Sequence, residues 1–269
     1  TSRYFLPAEA FIEVEGEILN NVNPAAQAEY ATEVSVGFVN NGIMALFDSA
    51  TLIDGKNIES IQKDVNVATT ILGLARYSND YSRSAGPSMM FVKDTSNSPE
   101  YQQYEIGRPQ NAARNAAADV ERMIINVDPD FNLGFRSRRA MLKGNRRVFS
   151  CAIPLSHIFG FCRNVRKVIF GAKHTVVLVR KAADDDALWR PAGDAGMVIL
   201  TKLSLWMPVM TPSISEEDRL LSFMSQGGKS MLSWLTMTKD AIQSNINGLF
   251  TWQIASHTYP IFRLHHFQR

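Results

Sequence analysis

Apolar and polar residues alternate with a period of two along much of the chain. In FIEVEGEIL, Ile12, Val14 and Ile18 fall on one side of an extended backbone and Glu13, Glu15 and Glu17 on the other. That is the signature of a strand with one dry and one wet face. TEVSVGFV repeats it, with Val34, Val36 and Phe38 opposed to Glu33, Ser35 and Gly37. Asn40-Asn41-Gly42 follows, and its Asn41-Gly42 pair suits a turn that needs positive φ. MALFDSATLIDGKNIESI predicts two short strands broken at Asp54-Gly55. Strand patterns resume after residue 147 in RVFSCAIPL, KVIFGAKHTVVLVR and GMVILTKLSLWMPV, and near the end Phe250, Trp252 and Ile254 alternate with polar neighbours.

Helical spacing is rarer. DVNVATTILGLARY sets Val65, Ala68, Leu72 and Ala75 three or four residues apart, with Asp64 as the expected N-cap and Gly73 as a weak point. Ser213 and Glu216 have capping-box spacing for a helix over ISEEDRLLSFMSQ that stops at Gly227-Gly228. Residues 77–130 show little periodicity and read as a long loop excursion with short helical pieces such as AARNAAADVERM. Many short strands, tight turns and no βαβ rhythm predict a mostly β fold: antiparallel jelly-roll sandwiches with a few short helices in long loops. Pro208 and Pro212 mark a junction. The expected division is a first jelly roll over 1–208, carrying the insertion around 77–130, and part of a second over 209–269.

Composition changes this picture little. The 269 residues are 45% hydrophobic and 20% charged, with a formal net charge of +2, so global charge does not point to a polyanionic partner. Cys151 and Cys162 are too few for a disulfide scaffold and read as buried free thiols in a reducing compartment. No secretory signal is visible at the first residues and no apolar run has bilayer-spanning length, so a soluble intracellular protein is the expectation.

Candidate chemistry is sparse. Gly227 to Ser230 ends like a phosphate-binding loop, but Phe223 stands where its first glycine belongs. His157, His174, His257, His265 and His266 include no H-x-H or H-E-x-x-H pair, which disfavours a metal-binding cupin-like enzyme. His157, set among apolar residues, has no evident partner and reads as structural. There is no G-x-S-x-G, and neither cysteine has a helix N-terminus or a persuasive basic partner that would lower its pKa. No enzyme mechanism, cofactor site or metal site is expected. One cluster remains: Arg136, Arg138, Arg139, Lys143, Arg146 and Arg147 fall within twelve residues and are candidates for nonspecific polyanion contact. The competing reading is an exposed loop or strand edge guarded by charge.

VFSCAIPLSHIFGFCRNVRKVIFGAKHTVVLVRK carries a resemblance. It is similar to the I-P-L-x-x-x-F-x-F-C-R-x segment, followed by an apolar strand and a histidine, of double jelly-roll major capsid proteins. These come from large eukaryotic DNA viruses and from Polinton/Maverick- and adintovirus-like elements. FIEVEG, NNGIMALFDSATLIDGKNIES, ATTILGLARYSNDYS, ADDDALWR, KLSLWMPVMTP and FTWQIAS extend the likeness over most of residues 5–255. The resemblance implies a non-enzymatic shell subunit that forms homotrimeric capsomers and contacts neighbouring capsomers and minor capsid proteins. It implies location in a virion assembled in the host cytoplasm or nucleus. A complete double jelly roll is usually longer than this chain, so a truncated, diverged or domesticated copy, or part of a longer protein, is expected. The alternative is a jelly-roll binding module, taken over from a capsid protein, that uses the basic 136–147 segment for nucleic acid or a protein.

Overall fold

The computed structural model describes residues 3–20, 28–31, 35–95, 104–105, 124–125, 132–171, 173–190, 195–226 and 232–237. Its strands are β1 (Tyr4–Phe5), β2 (Phe11–Asn20), β3 (Gly37–Phe38), β4 (Phe47–Asp54), β5 (Lys56–Ile61), β6 (Tyr104–Glu105) and β7 (Ile124–Ile125) in the first half. The second half holds β8 (Phe149–Pro154), β9 (Ile169–Phe170), β10 (His174–Arg180), β11 (Leu188–Trp189), β12 (Gly196–Trp206) and β13 (Val209–Met210). The α-helices are α1 (Gly42–Ala45), α2 (Val65–Arg76), α3 (Asn79–Ser84), α4 (Leu133–Ala140), α5 (Leu155–Ile158), α6 (Gly160–Asn164) and α7 (Ile214–Ser225). Every strand pair among the described residues is antiparallel. The fold is thus sheet-rich and antiparallel with few, mostly short helices, as the alternation predicts.

The long strands form two three-stranded sheets, β12-β2-β8 and β10-β4-β5; two-residue strands make a third, β13-β1-β9, and the two-stranded β11-β3 and β6-β7. On β2 the predicted dry face is dry: Ile12, Val14 and Ile18 are buried, while Glu13, Glu15 and Glu17 stay partly exposed. Ala50, Leu52, Ile58 and Ile61 bring the second sheet into the same apolar core. Gly55 turns β4 into β5 with φ of +65°, the conformation that the Asp-Gly break anticipates. Asn41 also takes positive φ, at 60°, and leads directly into α1.

Several expectations change. The strand read over TEVSVGFV shrinks to Gly37–Phe38, with residues 32–34 outside the described set. Helix α2 begins after Asp64, as expected, but Asp64 makes no capping hydrogen bond with its side chain. The buried face of α2 is Val65, Thr69 and Gly73, whereas Ala75 is exposed. The reason is Phe91, which arrives from the 77–130 excursion and packs against the helix at Gly73. Short helical pieces do occur in that excursion, as expected: α3 and the single turn at Gly86–Met89 lead into Met89, Met90, Phe91 and Val92, all buried. AARNAAADVERM and the Phe250 alternation lie outside the described residues. Strand β13 lies beyond the expected boundary at 208 and pairs with β1.

Gly73 is a packing requirement rather than a weak point. A Cβ there would sit 2.5 Å from the Phe91 ring. Alanine should add helix propensity of about 1 kcal/mol, but overpacking of this kind costs about 1–3 kcal/mol. Gly73→Ala is therefore expected to lower stability by about 1 kcal/mol in urea titration. A more stable variant would refute the close packing of Phe91 on α2.

Candidate functional site

The stretch FSCAIPLSHIFGFCRN divides into a strand and two short helices. Pro154 ends β8 at the edge of its sheet, where a residue without an N–H is tolerated, and α5 and α6 follow. Short apolar runs of this kind do not distinguish strand from helix by periodicity. Cys151 and Cys162 are buried free thiols, with burial pushing each up to about 12.

His157 is not without partners. It is fully buried, with Nδ1 2.9 Å from the Tyr77 hydroxyl and Nε2 3.1 Å from Asn41 Oδ1. The rest of the network fixes its tautomer. Asn41 Nδ2 donates to Thr69 Oγ1 at 2.8 Å and Thr70 Oγ1 at 2.9 Å, and Thr69 Oγ1 donates onward to the Val65 carbonyl at 2.8 Å. Asn41 Oδ1 is thus the acceptor, so His157 carries its proton on Nε2 and accepts from Tyr77 on Nδ1. Burial, with Arg163 nearby as a smaller cause, drops the His157 pKa to about 3. The ring is neutral at physiological pH and ties α5 to α2 and to the turn at Asn41. Glu59 works similarly on the next helix: its buried carboxylate accepts from the amides of Gly160 at 3.0 Å and Phe161 at 2.8 Å. Its burial raises the pKa, and the two amides oppose the rise. These groups are sealed from solvent and hold elements together. Among the described residues no group of three or more His, Cys, Asp or Glu could hold a metal ion.

The six basic residues of 136–147 do not share one face. Arg138 is buried on α4, where Nε donates to the Phe38 carbonyl at 3.0 Å, Nη1 to the Val92 carbonyl and Nη2 to Asp94 at 2.6 Å. Asn132 caps α4 by accepting from the Phe135 amide and also donates to the same Asp94 oxygen. Arg147 is buried too, donating to the carbonyls of Ala31 and Gly144. Arg146 forms a two-pronged ion pair with Glu17 and lies 3.7 Å from Glu29. Arg136 and Lys143 are exposed and Arg139 is half-buried. Arg138 and Arg147 are therefore internal, because backbone carbonyls, and for Arg138 also a carboxylate, claim their guanidiniums, and they are not available to a polyanion.

The surface that stands out instead is apolar and escaped the sequence reading. A bulge at Thr201 shifts the register of β12 against β2 between Leu200 and Lys202. The bulge flips parity, so Val198 and Leu200 before it and Leu203 and Leu205 after it all lie on the same face. Leu203 pairs with Val14 and Leu205 with Ile12, both of which are buried. Yet Leu203 is 51% and Leu205 40% exposed. They lie on the dry side of the sheet with nothing described above them. On the wet side, Lys202 bridges Glu13 and Glu15, and Trp206 donates to Glu13. Val209 and Met210 are exposed beyond β12. Helix α7 starts as its capping spacing predicts, with the Glu216 amide 3.4 Å from Ser213 Oγ. It nevertheless leaves Ile214, Leu220, Leu221 and Phe223 exposed. A 12-residue helix draws most of its stability from packing an apolar face, so such a helix calls for a partner surface.

An antiparallel, sheet-rich framework with few short helices is the architecture of a protein of the jelly-roll kind. A family model described as the double jelly roll-like domain matches residues 132–269, from the cap of α4 through β8 to β13 and beyond, and the chain belongs to that family. Comparison with curated proteins and with solved structures gives no match. No helix of the described residues is long and apolar enough to cross a membrane.

Proposed function

We propose that this chain is a structural subunit of a viral or virus-derived icosahedral shell, without enzymatic activity, that assembles as homotrimeric capsomers and resides in the virion. Family membership supports the reading, because double jelly roll-like domains are typical of capsid proteins. The observation that carries it is the exposed apolar edge among the described residues: Leu203 and Leu205 on the dry face of β12. Contiguous exposed apolar surface of this kind marks association sites in folded proteins.

Size-exclusion chromatography with light scattering tests it. A trimer or larger particle is expected at micromolar concentration. The double substitution Leu203→Ser and Leu205→Ser should shift that equilibrium toward monomer by about tenfold or more, since each side chain contributes on the order of 1–2 kcal/mol of apolar burial. A wild-type chain that stays monomeric over the accessible concentration range would sink the proposal.

A further inference from the structure

A cleft of about 500 Å³ opens beside the His157 network. Arg76, at the end of α2, and Arg163 and Arg166, on and just after α6, line it together with Tyr77, Tyr81 and Glu9. Arg163 is held by its Nε donating to the Ser156 carbonyl at 3.0 Å. Its Nη2 is buried with no hydrogen-bond partner. No carboxylate among the described residues forms an ion pair with any of the three arginines. The stacked rings of Tyr77 and Tyr81, 4.2 Å between centroids, form part of the lining.

We propose that this cleft binds a small multivalent oxyanion of the phosphate class. Planar guanidiniums suit tetrahedral oxyanions through paired N–H donors. Three arginines against Glu9 in the lining and Glu59 acting on Arg163 leave one net positive charge, and three guanidiniums offer more paired donors than a lone carboxylate can use. A half-buried Arg163 and a bounded cleft favour a compact ligand over a long polyanion lying across an exposed face. Burial and then Arg76 disfavour the Arg163 cation while Glu59 supports it, and an anion in the cleft offsets the repulsion between the arginines. The site is independent of the assembly proposal, since every residue comes from one chain.

Inorganic pyrophosphate is the probe, added to the full chain at constant ionic strength, with thermal unfolding and isothermal calorimetry as readouts. A saturable rise in melting temperature is expected, because a ligand that binds only the folded state stabilises it by mass action. Arg76→Met with Arg166→Met, both at exposed positions, should leave the unliganded melting temperature near wild type and weaken pyrophosphate at least about tenfold. Arg163→Met should abolish saturable binding. The inference fails if pyrophosphate does no more than matched sodium chloride. It also fails if the double variant binds as tightly as wild type. Binding of a DNA duplex that these substitutions remove, with no binding of pyrophosphate, would likewise overturn the small-ligand assignment.

Discussion

Arg138→Met is expected to destabilise the fold by about 3–4 kcal/mol in urea or guanidinium unfolding, a large effect for a residue in an otherwise basic surface-like sequence. The methionine retains most of the apolar volume, so the loss is chiefly polar. Arg138 joins three segments distant in sequence: α4, the strand end at Phe38 and the extended stretch at Val92 and Asp94. Phe38 and Val92 are buried, so their carbonyls would lose their donor with no water to replace it. Each unsatisfied buried acceptor costs about 1–3 kcal/mol. Asp94 is 40% exposed, so solvent compensates for most of its lost ion pair. Arg138→Lys restores one charged donor but not the fork, and should fall between the two. By contrast, Lys143→Met at an exposed position should change stability by less than about 0.5 kcal/mol. If Arg138→Met unfolded within 1 kcal/mol of wild type, the guanidinium would not be the staple described.

That contrast shows where the sequence stops being readable. Six positive charges in twelve residues identify a basic segment, but not which of them meet solvent. The acceptors of Arg138 lie 44 to 100 residues away and are mostly backbone carbonyls, which no residue pattern displays. Likewise, His157 finds Tyr77 and Asn41 at separations of 80 and 116 residues. Local alternation was enough for β2, and the Asp54-Gly55 break for β4 and β5, because such signals are written in the element's own residues. Glu13, Glu15 and Glu17 announced a wet face, though their partners Lys202 and Arg146 came from far along the chain. The bulge in β12 lay outside such reasoning. One extra residue moves Leu203 and Leu205 back to the dry face, and a strict period of two would have placed them with the polar side. The face of α2 was hidden for a related reason. Its neighbour Phe91 comes from a segment without periodicity, so the small residue needed at position 73 looked like a defect.

Acidification from pH 7 to pH 5 is expected to cost the fold about 2 kcal/mol through His157 alone. In the unfolded chain this imidazole titrates near its ordinary value of 6.5, whereas in the fold burial holds it near 3. Between those values the unfolded state binds the extra proton, so stability is fully present above pH 6.5 and falls as pH drops toward 3. One such site gives a slope of about 1.4 kcal/mol per pH unit inside the window. His174 adds to the same trend, because burial lowers its pKa too, with Asp54 opposing. Glu59 opposes it: its pKa is raised by burial, so the stability it contributes is present at low pH and lost as pH rises through its folded value. The variant that separates these is His157→Gln, whose side chain still offers a donor and an acceptor but cannot take up a proton at these pH values. It should be less stable at pH 7, because no amide reproduces both ring hydrogen bonds. Its stability should also decline less steeply between pH 7 and pH 5, by about 1 kcal/mol per pH unit. Unfolding free energies by denaturant titration at pH 7, 6 and 5 give both slopes. Parallel slopes in wild type and His157→Gln would mean that the imidazole is not held neutral by its burial, and the network linking Tyr77, His157, Asn41 and Thr69 would need another basis.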